Sequence, residues 1–182
     1  VEVYMNTRSY DAALKSIDRI AKPSAQILEA KQKILFQLGT QSFANADFEQ
    51  ALKYLNQSIA IGQYNRQTKA DAYYWCGESY YRLNRMVEAA RDFNAYLQLT
   101  TQPNNEMYAL ANYNLGYIAF HRKDYTQASN YFQKYIQLEK GENTTALADA
   151  YNRIGDCHLH VRNFEEAKHY YSQAEQMLSL IH

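Results

Sequence analysis

The stretch Ala70–Leu97, ADAYYWCGESYYRLNRMVEAARDFNAYL, contains the pattern that decides the fold. Gly77 in this stretch is followed twelve residues later by Ala89 and sixteen residues later by Phe93. The series of glycine, alanine and large residue occurs three more times, as Gly39, Ala51 and Leu55, as Gly116, Ala128 and Phe132, and as Gly155, Ala167 and Tyr171. A period of 38 or 39 residues predicts stacked supersecondary units, because one such unit cannot bury its apolar face alone.

Each unit divides into two helical patterns. Tyr73, Cys76, Tyr80 and Leu83 follow a spacing of three, four and three residues, which indicates the buried stripe of a helix. The chain has only two prolines and six glycines, which favours helix throughout. We therefore predict an all-α solenoid of antiparallel helix hairpins. Its nine helices are expected at about residues 7–21, 24–43, 47–62, 67–83, 86–99, 105–122, 125–138, 144–161 and 164–180.

The helix starts and the repeat boundaries follow from the same register. Asp47, Asp124 and Asn163 stand just before second helices and are predicted N-caps, whereas Arg85 holds that place in its unit and cannot cap. Ser9 is the expected cap of the first helix. We predict a single array over residues 1–182, with a partial repeat and then four full repeats. Their bounds are 1–22 for the second helix of the partial repeat, then 23–62, 67–100, 105–140 and 144–180.

The glycines occupy mid-helix positions, where glycine costs about 1 kcal/mol relative to alanine. A cost repeated in every unit suggests helices that cross too closely for a Cβ atom, and we expect the alanine column to form the facing surface. No glycine-rich loop surrounds these residues, so a phosphate-binding role is not expected.

Composition and charge exclude several classes of function. Nineteen basic residues balance nineteen acidic ones without a like-charge block, so a nucleic-acid partner is not expected. No apolar run reaches the roughly 18 residues that a membrane span requires. The chain opens at Val1 without an initiator methionine or a signal peptide, and we expect a fragment of a longer protein.

No residue pattern indicates catalysis or metal binding. Cys76 and Cys157 are expected to be buried free thiols. His158 and His160 are two residues apart on a helix, so their rings point in different directions and cannot share a metal ion. No nucleophile can be matched with a base from the spacing. We therefore expect no enzyme activity, no cofactor and no metal.

The repeated columns resemble the tetratricopeptide repeat (TPR) family, and this resemblance implies that the α-solenoid is right-handed. Its Leu-Gly pair is matched by Leu38-Gly39, Leu115-Gly116 and Ile154-Gly155, with Cys76-Gly77 as a variant. Tyr80 matches the aromatic residue that follows, while Ser42, Ala119 and His158 depart from it. The family's usual period is shorter, near 34 residues. The longer period and the motif Tyr74–Glu78 are similar to those of bacterial envelope TPR proteins. The closest parallels are the periplasmic coordinator of the Tol–Pal system and the lipoprotein of outer-membrane barrel assembly.

In TPR proteins the first helices of the repeats line a concave groove, and the resemblance implies which residues contact a protein or peptide partner. These expected groove residues are Phe36, Phe43, Tyr74, Glu78, Tyr81, Arg82, Tyr113, Tyr117, Phe120, Asn152 and Asp156. Aromatic rings there either contact a ligand or pack on one another, and the sequence leaves both possibilities open. The positions that bind a terminal carboxylate in some TPR domains lack the required positive charge, so that mode is not expected.

Two classes of function follow. The first is a non-catalytic interaction scaffold that binds a peptide or helix of a partner in its aromatic groove, in a bacterial cell-envelope assembly of the periplasm or outer membrane. The second is a structural repeat domain that self-associates through uncapped ends into a homo-oligomer. A cytoplasmic TPR sensor or regulatory region is a third possibility.

Overall fold

The computed structural model describes the backbone of residues 2–141 and 143–181, and the side chains from residue 9 onward within those ranges. The described part is all helical, with no strand. The helices are α1 (Glu2–Asp18), α2 (Ala25–Ala44), α3 (Phe48–Ile61), α4 (Arg66–Arg82), α5 (Met86–Leu99), α6 (Glu106–His121), α7 (Tyr125–Leu138), α8 (Thr144–His160) and α9 (Phe164–Ser179). A single 3-10 turn, Gly62–Tyr64, follows α3.

The helices form two compact units, which we describe separately: unit 1 is Val1–Thr101 and unit 2 is Gln102–His182. In unit 1, α2 packs on α3, α4 packs on α5, and α3 joins the two hairpins by packing on α4. In unit 2, α6 packs on α7, α8 packs on α9, and α7 packs on α8. Each unit therefore contains two complete helix hairpins, as the repeat pattern predicts.

The first helix differs from its predicted position. α1 spans Glu2–Asp18 rather than residues 7–21, so Ser9 lies inside the helix and its prediction as an N-cap is wrong. No proline or glycine precedes Ser9, and nothing in that stretch prevents the helix from starting earlier. The other eight helices begin and end within two residues of their predicted bounds.

Side-chain caps start most of the helices. The carboxylates of Asp47 and Asp124 accept hydrogen bonds from the backbone N–H of Gln50 and of Gln127, each at 3.2 Å, which confirms both predicted caps. Asn163 is wrong as a cap, because its side-chain amide lies 3.4 Å from the Nδ1 atom of His158 instead. The first helix of each full repeat also has a side-chain cap that was not predicted from the sequence. These caps are Ser24, Asn65, Asn105 and Asn143.

The turn inside each hairpin has the same geometry in every repeat. In unit 2 the N–H of Asp124 donates to the carbonyl of Ala119 at 3.0 Å, and the N–H of Lys123 donates to the carbonyl of Phe120 at 2.9 Å. This pair of bonds is the Schellman motif, which places one residue in the left-handed region. The left-handed residues are Ala46, Asn84, Lys123 and Arg162, with φ between 59° and 62°. One turn type therefore sets the path of all four hairpins.

The mid-helix glycines lie where the two helices of a hairpin approach most closely. A Cβ atom on Gly116 would lie 2.8 Å from the ring of Phe132, and one on Gly39 would lie 2.5 Å from Cγ of Leu55. Gly77 faces Phe93 and Gly155 faces Tyr171 in the same way. The predicted close crossing is confirmed, but the facing residue is the large one sixteen positions later. The alanines of the predicted column are buried as well.

Two further expectations can be compared with the structure. Cys76 and Cys157 are both buried and free, as predicted. Burial raises the pKa of the Cys157 thiol to about 11, so the thiol is protonated at neutral pH. Among the described residues, no helix combines the length and the apolar character that a bilayer crossing needs.

Candidate partner-binding faces of the first helices

Tyr74 belongs to the core of unit 1, which corrects its expected position opposite the buried stripe. Its side chain is 3% exposed, and its ring packs at 5.4 Å from Tyr96 and at 5.8 Å from Phe93, both on α5. The phenol hydroxyl donates a hydrogen bond to Oε1 of Glu78 at 3.0 Å. Burial is the main reason that the pKa of Tyr74 is raised, so the hydroxyl remains a donor.

Glu78 is also buried, which again differs from the expected groove position. Its second carboxylate oxygen forms an ion pair with Arg82 at 3.2 Å, and the guanidinium of Arg82 lies 5.8 Å from the centre of the Phe43 ring. Arg82 itself is exposed. A buried carboxylate therefore holds an exposed cation in a fixed place beside an aromatic ring.

The exposed side of unit 1 is built around Phe43 and Trp75. The two rings meet edge to face at 4.9 Å and join α2 to α4, while Phe48 of α3 contacts Phe43 at 5.3 Å. Phe43 and Trp75 are each half-buried. Phe36 and Tyr81 are half-buried as well. We call Phe36, Phe43, Trp75, Tyr81 and Arg82 the unit 1 face.

Tyr113 and Tyr117 of α6 form the centre of the corresponding surface in unit 2. Their rings lie 5.3 Å apart, and both pack at their backs on Phe132 of α7, at 5.9 Å and 5.2 Å. Tyr135 supports Tyr113 from below at 4.9 Å. Both tyrosines are half-buried. The ring-on-ring packing left open by the sequence is therefore present, and it still leaves part of each ring accessible.

Asp149 of α8 fixes both tyrosine hydroxyls. Tyr113 donates to Oδ2 of Asp149 at 2.5 Å, and Tyr117 donates to the same oxygen. Burial, followed by this hydrogen bond, raises the pKa of each phenol. Both hydroxyls therefore stay protonated and join α6 to α8.

Arg153 and Asp156 continue this polar network along α8. Nη1 of Arg153 lies 2.8 Å from Oδ2 of Asp156, and Nε of Arg153 lies 3.7 Å from Oδ1 of Asp149. Tyr171 of α9 donates to the other oxygen of Asp156 at 2.5 Å. The network holds one cation between two carboxylates, so this part of the surface has an excess of negative charge.

Phe120 completes the aromatic series at the end of α6. Its ring contacts Tyr125 at 5.6 Å and His160 of α8 at 6.0 Å, and it is half-buried. Asn152 on α8 is half-buried as well. We call Tyr113, Tyr117, Phe120, Asn152 and Asp156 the unit 2 face.

The histidines of α8 contribute ring stacking. His160 stacks on Tyr125 at 4.4 Å, and His158 stacks on Tyr170 at 5.4 Å. Within the described ranges, no group of three or more histidine, cysteine, aspartate or glutamate side chains could hold a metal ion.

Sequence reasoning missed Trp75 and Asp149. Trp75 stands two residues before its glycine, where the other repeats have Gln37, Asn114 and Arg153. A lone tryptophan in a column of polar residues was a usable signal of an exposed aromatic contact. Asp149 gave no such signal, because an isolated carboxylate on a helix is typical of a solvated face and its partners lie 32 and 36 residues away.

Two family models match the chain. Both are described as tetratricopeptide repeat models, and they match residues 36–106 and residues 107–179. A search among curated proteins found no match.

Several solved structures have the same fold. The crystal structure of MamA is 20% identical, with a TM-score of 0.72, and the match covers 95% of this chain and 86% of that one. BtubC (BKLC) from P. vanneervenii is 14% identical, with a TM-score of 0.72, and the match covers 94% of this chain and 71% of BtubC. YrrB, described as a TPR protein with an unusual peptide-binding site, is 16% identical, with a TM-score of 0.66. The match covers 93% of this chain and 78% of YrrB.

The buried phenol of Tyr135 predicts a loss of stability in alkali. Burial, followed by the charge of Glu139, raises the pKa of Tyr135 to about 12, against about 10 for an exposed tyrosine. The unfolded chain loses this proton first, so the stabilisation is complete below about pH 10 and is lost as the pH rises through about 12. Tyr135→Phe keeps the ring but cannot titrate. We expect its free energy of unfolding, measured in urea, to fall less steeply over this range than that of the wild type.

The difference in unfolding free energy between the two proteins at neutral pH serves as the reference for this comparison. Identical slopes in the alkaline range would contradict the assignment of a raised pKa to Tyr135.

Proposed function

Because the chain belongs to the tetratricopeptide repeat family, we propose that it is a non-catalytic protein–protein interaction scaffold that holds a peptide segment of a partner on the faces of its first helices. The observation that carries this proposal is the packing and partial exposure of four aromatic side chains. Phe43, Trp75, Tyr113 and Tyr117 each pack on another aromatic ring and remain partly exposed.

Rings held in this way are suited to binding. A tyrosine or tryptophan ring offers a large contact area, and one that is already fixed by packing loses little rotamer entropy when a partner arrives. Asp149 holds the hydroxyls of Tyr113 and Tyr117 in one orientation, which leaves their remaining lone pairs as acceptors for a partner's N–H groups. The faces therefore favour an extended peptide or an amphipathic helix that presents apolar side chains and backbone donors.

The charges on the two faces differ. Arg82 of the unit 1 face is balanced by Glu78, whereas Asp149 and Asp156 outnumber Arg153 in unit 2. A partner segment that carries lysine or arginine opposite the unit 2 face fits this distribution. The peptide-binding site named for YrrB supports a peptide as the type of ligand. The envelope setting stays a prediction from the Tyr74–Glu78 motif, and the proposal does not depend on it.

The proposal is tested with peptides selected on the wild-type protein from a random display library. The affinity of a selected synthetic peptide is measured for Phe43→Ala, for Tyr117→Ala and for the wild type. Truncating an aromatic anchor costs more than about 1.4 kcal/mol, so we expect the variant in the unit that holds the peptide to bind at least about tenfold more weakly.

Tyr54→Ala is the matched control, because Tyr54 is a half-buried tyrosine on the second helix α3. We expect it to bind the peptide as the wild type does. Circular dichroism is used to check that all variants keep their helicity. If both face variants bind with wild-type affinity, or if only Tyr54→Ala loses the peptide, the proposal is wrong.

Self-association is the second candidate function, and the surface of the last repeat favours it. Phe164 is 61% exposed, although Tyr125 at the equivalent position of the preceding repeat is stacked under His160 of the next first helix. Leu159 and Val161 beside it are exposed as well. A first helix of a second copy would cover Phe164 as α8 covers Tyr125. Sedimentation velocity is expected to show association that increases with concentration and that Phe164→Ser abolishes, and a monomer at all concentrations would contradict self-association.

A further inference from the structure

A cavity of about 240 Å³ lies between α7 and α8 in unit 2. Its walls include Ser129, Gln133, Cys157 and His158, and the exposed residues Thr126 and Val161 lie at its rim. The cavity is therefore open to solvent at one side. It shares no residue with the unit 2 face, so it is a separate feature of the molecule.

The equivalent positions in unit 1 carry larger side chains than those that line this cavity. α3 and α4 of unit 1 form the equivalent pair of helices, and there the position of Ser129 is held by Leu52 and the position of His158 by Tyr80. Both unit 1 residues are buried, at 5% and 8% exposed. Serine and histidine are smaller than leucine and tyrosine, so the side chains at these two positions fill less space in unit 2 than in unit 1.

The remaining walls suit a ring that carries a hydroxyl. Ser129 Oγ accepts a hydrogen bond from the amide of Gln133 at 3.3 Å, and that amide also lies 3.4 Å from the hydroxyl of Tyr170. His158 is stacked on Tyr170 at an interplanar angle of 6°, which keeps its imidazole on the wall of the cavity. These groups can donate to and accept from a ligand hydroxyl. A purely apolar cavity of about 150 Å³ already accommodates benzene, so this space is large enough for one substituted ring.

We propose that the cavity between α7 and α8 is a binding site for a phenol ring. The ring lies beside Ser129 and His158, and its hydroxyl bonds to the polar groups of the wall. Two sources can supply such a ring: a free phenolic molecule, or a tyrosine side chain of a partner peptide.

The test uses p-cresol as the probe and follows the backbone amide signals of the protein by NMR. We expect saturable shifts in the millimolar range at Ser129, Cys157 and His158, with the amides of the unit 1 face unchanged. Toluene has the same ring without the hydroxyl, and we expect it to bind at least about tenfold more weakly because the polar wall is then left without its partner. Absence of saturable shifts with p-cresol, or equal affinity for toluene, would overturn the proposal.

A variant in which larger side chains fill the cavity is the matched control for p-cresol binding. Ser129→Leu with His158→Tyr places the residues of unit 1 at the equivalent positions of unit 2, and we expect the p-cresol shifts to disappear. Ser129→Leu alone fills part of the space and keeps the test decisive if the double variant does not fold. Unchanged p-cresol affinity in a folded variant of either kind would contradict the site.

The two sources are separated by a second probe, N-acetyl-tyrosine amide. If both p-cresol and this amide bind, the site takes a tyrosine side chain of a peptide. If p-cresol binds and the amide does not, the site takes a free phenolic molecule. Binding of neither overturns the proposal. A positive result for p-cresol alone leaves the function of the first-helix faces unaffected, since the two surfaces have no residue in common.

Discussion

The contact between a mid-helix glycine and a large residue of the partner helix is the constraint on which each hairpin depends. Gly39, Gly77, Gly116 and Gly155 have no side chain, so Leu55, Phe93, Phe132 and Tyr171 can approach the backbone of the first helix directly. The left-handed turn residues connect helices whose separation is already fixed, and the residues on the outer side of the first helix are positioned relative to the ring below them.

Phe132 illustrates how this constraint reaches the functional surface. The ring lies against Gly116 on one side and supports Tyr113 and Tyr117 on another. The tyrosines in turn donate to Asp149 on the next first helix. A contact in the middle of one hairpin therefore supports two half-buried rings, and these rings are joined to the neighbouring hairpin through Asp149. A surface organised in this way is preorganised, and preorganisation reduces the entropic cost of binding.

The repeat register predicted much of the fold from the sequence, because the same physical requirement appears four times in the chain. It predicted the hairpins, the close crossing at the glycines and the caps at Asp47 and Asp124. It failed for Tyr74 because a single buried stripe was assumed for α4. This helix packs on α3 and on α5, so its buried surface is wider than one stripe and includes Tyr74 and Glu78. Asp149 could not be predicted, since its role exists only through tyrosines on another helix.

The most direct test of the central contact is a double-mutant cycle between Gly116 and Phe132, measured by urea unfolding. Helix propensity alone predicts that Gly116→Ala stabilises the protein by about 1 kcal/mol. If the contact is as close as described, Gly116→Ala instead destabilises it by about 1–3 kcal/mol through overpacking. In a Phe132→Ala background the same substitution should cost much less, because the facing side chain is then absent, and this gives a coupling energy above about 0.5 kcal/mol. A stabilising Gly116→Ala substitution, or one whose effect is the same in both backgrounds, would contradict the account.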